Sequence, residues 1–174
     1  MEQFSSIIKN INMIVLPDTK TFDSSIRLVQ LVGGVTKANM LKVCDKLDLY
    51  VSPNLKKDET ARRVAQELLD SPIEILSNLN KQELQIIDEF VKGSANTYVV
   101  RKMRKTLYKL QKLYLVATYC DEGKQEWHML MPNELQEALS SNYKFYLDLA
   151  EKGQKGPTAK QLRMMAAMKR IMGE

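Results

Sequence analysis

A chain of 174 residues, 44% hydrophobic and 27% charged with 7 Gly and 5 Pro, has the length of one domain or two small ones, and its composition excludes collagen-like, low-complexity and wholly disordered classes. The formal charge is +5; no apolar run approaches the ~20 residues of a membrane span and no secretory signal pattern opens the chain, so the cytoplasm is the expected compartment. Two distant cysteines, Cys44 and Cys120, and one histidine, His128, read as free thiols and a poor chemical inventory, which favours a binding protein over an enzyme.

In chain order, apolar stretches around Ile7–Ile14 and Ile26–Val32 predict two helices, ended by Gly33-Gly34. Thr36 is the expected N-cap of a helix to about Lys46, with Met40, Leu41, Cys44 and Leu47 on its apolar side. An extended Leu49–Pro53 follows. A helix from about Lys57 to Leu69 should bury Ala61, Val64, Ala65 and Leu68. Ser71-Pro72-Ile73-Glu74 and Asn80-Lys81-Gln82-Glu83 are capping boxes that start the next two helices, the second ending near Gly93. A further helix is expected from Thr97, turning Val100, Met103, Leu107 and Leu110 inward. Leu115–Tyr119 and Glu126–Met131 flank Asp121-Glu122-Gly123-Lys124 as a β-hairpin, the only clear β structure, with Cys120 opposite Gln125. Asn133 with Gln136 opens a helix to about Ala150, and after the Gly153–Pro157 break Thr158 caps the last one.

Charge is unevenly placed. Residues 90–120 carry Lys92, Arg101, Lys102, Arg104, Lys105, Lys109 and Lys112 and no acid, 121–151 carry −5, and 152–174 carry +5. A single-sign block of this kind is the electrostatic footprint of a polyanion partner.

Residues 36–69, with Leu41, Leu47 and Leu49, the Leu55-Lys56-Lys57-Asp58 start and Val64 with Leu68, resemble the helix-extended-loop-helix module of SAP domains and the Rho N-terminal domain. The likeness implies that Lys56 and Lys57 approach phosphate, although Ser52-Pro53-Asn54 replaces the usual glycine of the SAP link. Residues 72–139 resemble a winged helix in their order of three helices and a hairpin, with Leu107–Val116 similar to a recognition helix running into its first wing strand. The expected architecture is therefore mainly α: a helical domain at 1–70, a winged helix-turn-helix domain with one hairpin at 71–151, and a basic amphipathic helix at 152–174.

On the expected third helix, Arg101, Arg104, Lys105, Tyr108 and Lys112 share the side opposite the apolar stripe, a face suited to a DNA major groove. Arg101 and Arg104 would make bidentate contacts, and Lys102, Lys105, Lys109 and Lys112 would act as point charges on phosphate. The acidic hairpin tip, Asp121 and Glu122, should stay off the nucleic acid. The expected function is non-enzymatic binding of nucleic acid, duplex DNA being favoured, in a regulatory role; the alternative is an adaptor whose winged helix docks a protein partner. In the tail, Leu162, Met165, Met168 and Met172 form a flexible apolar side suited to a protein partner. No catalytic pair, metal site, phosphate loop or cofactor is expected: Cys120 and His128 are out of step on the hairpin, and Gly33-Gly34 lacks a following Gly-Lys-Ser/Thr.

Overall fold

A computed structural model describes residues 26–94 and 96–173; the first expected helix, around Ile7–Ile14, lies outside them. The protein is mainly helical with a small three-stranded antiparallel sheet. The short α1 (Leu28–Gly33) lies on α3 (Lys57–Asp70), and α2 (Lys37–Lys46) packs on the other part of α3. As the periodicity predicts, α3 buries Ala61, Val64, Ala65 and Leu68, while the Thr36 hydroxyl accepts the Asn39 N–H at 3.2 Å and starts α2. Pro72 opens α4 (Pro72–Leu76), but the Ser71 side chain makes no cap bond, so only the proline half of that start signal operates. α5 (Lys81–Lys92) begins with the expected reciprocal box: Asn80 Oδ1 accepts from the Glu83 N–H and Glu83 Oε1 from the Asn80 N–H, each at 2.9 Å.

The expected helix from Thr97 is absent. In its place stand strand β1 (Val99–Lys102), an extended loop and the four-residue α6 (Lys109–Lys112). Tyr98, Val99 and Val100 are aromatic or β-branched and suit a pleated surface, and strand β3 (Glu126–Leu130) has an edge for them to fill. β1 pairs with that edge, Val99 opposite Met129 and Arg101 opposite Trp127, and the ladder extends to Met103, whose N–H donates to Gln125 O at 2.9 Å. Spacings of three and four along Val100, Met103, Leu107 and Leu110 imitated a helical stripe. Val100 in fact lies on the outer face of the sheet, and Leu110 is buried in α6.

The hairpin is present, with β2 (Ala117–Asp121) on the other edge of β3, giving the order β1-β3-β2. Its turn is shifted one residue towards the C-terminus, to Glu122–Gln125: Cys120 pairs with Trp127, not Gln125, and Asp121 with Glu126. The helix expected to run to Ala150 is two, α7 (Asn133–Ser140) and α8 (Tyr143–Glu151), parted at Ser141-Asn142. α9 (Ala159–Ile171) is capped by Thr158 as expected, the hydroxyl accepting from the Gln161 N–H at 3.1 Å.

One apolar cluster runs from Ile26 to Leu147 across the junction of α3 and α4, with Trp127, Phe90, Leu68 and Met40 among its largest fully buried side chains. Glu134 on α7 ties the two halves further, accepting the Leu28 N–H at 2.7 Å. None of α9 is buried. No described helix is long and apolar enough to cross a membrane.

Candidate anion-binding site

α4 ends in a loop, Ser77–Asn80, whose position is set by buried Leu76 and Leu79 beneath it and by the cap at Asn80. Glu83, itself 1% exposed, carries the loop's geometry to a distant segment: its second oxygen, Oε2, accepts the Lys109 backbone N–H at the start of α6. α6 is held from its other end by buried Gln111, whose Oε1 accepts the Tyr108 N–H at 2.9 Å and whose Nε2 donates to Thr118 Oγ1 on β2 at 3.3 Å. Lys109 Nζ then reaches back to Asn78 O at 2.5 Å. Two stretches about thirty residues apart are thus clamped together at one polar carboxylate.

Three clefts of about 400, 270 and 220 Å³ surround that clamp. All three include Asn78; the first two share Lys109 and the last two share Lys46 and Leu47, so they adjoin one another around Asn78, and together they are called the trough. Its cations come from five parts of the chain. Lys46 ends α2, Lys81 starts α5, Lys109 and Lys112 lie on α6, Lys155 lies on the segment after α8, and Lys160 with Arg163 lie on α9. Against these seven cations stand only Asp48 and Glu74. Arg163 Nη1 is 3.8 Å from Glu74 Oε1; Lys46, Lys81, Lys112, Lys155 and Lys160 have no carboxylate partner among the described residues. Like charges focused by concave, low-dielectric walls raise the local concentration of anions.

The segment carrying α9 to the trough depends on two glycines. Gly153 has φ +72°, a left-handed conformation that side chains resist. A Cβ on Gly156 would come within 2.4 Å of the Tyr146 ring, and the same tyrosine donates its O–H to Pro157 O at 2.5 Å. α9 therefore leaves α8 along a fixed path.

The predicted recognition residues divide. Arg101 lies on β1 and makes a two-point contact with Glu89 on α5, at 3.0 and 2.9 Å, so its charge is compensated. Arg104 donates from Nε to Thr106 O at 2.8 Å and from Nη1 to Gln82 Oε1 at 3.1 Å, with its guanidinium 3.7 Å from the Tyr108 ring centroid. Tyr108 is buried, its ring edge-on to Trp127 at 6.0 Å. These three belong to the internal structure and share no cationic helical face with the lysines. Lys102 and Lys105 are exposed but outside the trough, as are Lys56 and Lys57 at the start of α3. Only Lys109 and Lys112 of the predicted set reach it. Leu162, Met165, Met168 and Met172 are exposed on α9.

Sequence reading missed Lys46, Lys81, Lys155, Lys160 and Arg163 as members of one site. The +5 charge of 152–174 was the available signal, but nothing local says that this tail meets α2 and α6.

Cys120 and His128 cannot form a nucleophilic pair. Cys120 shares a sheet face with Trp127, and His128 lies on the other face with Tyr119. Burial, with the Glu122 charge adding to it, pushes the Cys120 thiol up to about 11; burial does the same to Cys44. On the outer sheet face Asp121, Glu126 and His128 bring ligand-type atoms within 4.8 Å of one another, His128 Nε2 being 3.9 Å from Glu126 Oε1. Lys102, directly across from Glu126, places a cation beside that group.

No family model, curated protein or solved structure matches the chain.

Proposed function

We propose that the protein is a non-enzymatic nucleic-acid-binding protein that holds the phosphate backbone in the trough around Asn78. The observation carrying this reading is the convergence of six lysines and one arginine from five chain segments on one concave surface with two acids. A solvated lysine face needs no concavity and no convergence. Lysine predominates, and ammonium groups act on phosphate as point charges without the bidentate geometry that reads a base edge. The trough's one aromatic side chain among the described residues is Tyr146, 3% exposed and unable to stack on a base. Backbone contact without stacking favours a duplex and tolerates its sequence.

The α2–α3 pair and the β1-β3-β2 sheet with its hairpin support the SAP-like and winged-helix likenesses as frames for this activity. The contact surface differs from theirs, since α6 has only four residues where a recognition helix would stand.

The test is fluorescence anisotropy of a labelled duplex against salt. A trough engaging about four phosphates loses on the order of 100-fold in affinity between about 50 and 200 mM salt. Lys46→Glu with Lys112→Glu, both exposed and without hydrogen-bond partners, should abolish binding, while Lys144→Glu on α8, outside the trough, should change it less than about twofold. No binding at low salt, or equal binding by the double variant, overturns the reading.

A further inference from the structure

α9 carries its charge and its grease in the opposite sense to a helix that covers a core. At 100° per residue, Ala159, Arg163, Ala167 and Arg170 share one arc, and the beginning of that arc faces the body: Ala159, Lys160 and Arg163 line the trough, and Arg163 meets Glu74. The opposite arc, Met164, Met165, Met168, Ile171 and Met172, looks away from the body and is 53–85% exposed. The helix buries no residue. Five large apolar side chains turned to solvent along one helix arc mark a binding surface.

We propose that this outward arc docks an acidic amphipathic helix of a partner protein. Charge identifies the occupant. Lys160 borders the arc on one side and Lys169 on the other, and α9 contains no acid; the complementary surface is an apolar stripe with carboxylates along both flanks. A second α9 does not supply it, because it would set lysines against lysines. Lipid is the poorer match, since interfacial helices anchor with aromatic and leucine side chains, whereas this face is four-fifths methionine, an unbranched side chain that adapts to a partner's ridges. The two arcs face different ligands and share only Lys160, so a bound helix leaves the rest of the trough open.

The test uses the full chain and a labelled synthetic peptide of about 18 residues with leucines at i, i+3, i+4 and i+7 and glutamates on both flanks. Anisotropy should report binding that Met164→Glu with Met168→Glu weakens by about tenfold or more, with an unchanged melting temperature because both side chains are exposed. A scrambled peptide of the same composition should bind about tenfold more weakly. Lys46→Glu with Lys112→Glu, which disables the trough, should leave peptide affinity within about twofold; failure of the nucleic-acid reading is thereby separable from failure of this one. Equal binding of the scrambled peptide, indifference to the methionine substitutions, methionine-dependent dimerisation of the chain in light scattering, or tighter binding to phosphatidylserine vesicles than to the peptide each overturns the proposal.

Discussion

Arg101 and Glu89 face each other across the junction of β1 and α5 in a parallel two-point contact, Nη1 to Oε2 at 3.0 Å and Nη2 to Oε1 at 2.9 Å. The pair holds the edge strand against the helix, and it removes from the acid-free segment the arginine best suited to a groove. Its side chains are 28% and 51% exposed, so solvent screens it and its contribution to stability is at most about 1 kcal/mol. Arg101→Ala should therefore lower the melting temperature by a few degrees and leave duplex affinity within about twofold. The charge swap Arg101→Glu with Glu89→Arg should regain most of the lost stability. A large loss of duplex binding in Arg101→Ala would return this residue to the contact surface.

Glu83 is the opposite case. It is buried, and its two oxygens take the N–H groups of Asn80 and Lys109, which have no other acceptor in the clamp. Glu83→Ala leaves both amides unpaired and should cost about 3 kcal/mol, since hydrogen bonds to a charged group are worth ~1.5–3 kcal/mol and orphaned donors add their desolvation. Chemical denaturation of the variant measures it. Lys109 loses its anchor as well, so duplex affinity should fall alongside stability, which Arg101→Ala does not produce.

These two acids show where the sequence was informative. Asn80 with Glu83, Thr36 with Asn39 and Thr158 with Gln161 are each bonded three residues apart, and the helix starts they define stand where local chemistry puts them. The partner of β1 lies about twenty-five residues onward, and Val100, Met103, Leu107 and Leu110 satisfy helical spacing without forming a helix. Charge totals located the cationic segments, yet Lys46, Lys112 and Arg163 come together only through the packing of the intervening core. Likewise the α9 periodicity identified an apolar side, and its direction required the rest of the molecule.

Asp88 on α5 joins α8 through the Tyr143 O–H, 2.9 Å away, and also receives Lys92 at 2.9 Å. Burial alone would raise the Asp88 carboxyl, but the hydrogen bonds from Lys92 and Tyr143 outweigh it and hold it below the ordinary carboxylate value. A carboxyl lowered in the folded state binds protons more weakly than in the unfolded chain; its stabilisation is present above the unfolded value, about 3.9, and is lost as pH falls through the lower folded one. Tyr143→Phe should cost about 1 kcal/mol at neutral pH, and the gap from wild type should narrow in acid. A pH-independent gap would mean that the phenol acts only by packing.

α9 offers the sharpest separation of fold from function. It contributes nothing to the buried cluster, and its ties to the body are the Arg163–Glu74 pair and the wall of the trough. A chain stopped after Thr158 keeps the Tyr146 to Pro157 bond and should melt within about 2 °C of the full protein, because no apolar area leaves the core. It removes Lys160 and Arg163 from the trough, together with Lys169 and Arg170, and by counterion release should bind a duplex about tenfold more weakly with a shallower salt slope. Peptide docking should vanish altogether. A truncated chain that unfolds would make α9 a structural element, and one that binds duplex with the full affinity would confine the anion site to α2, α5 and α6.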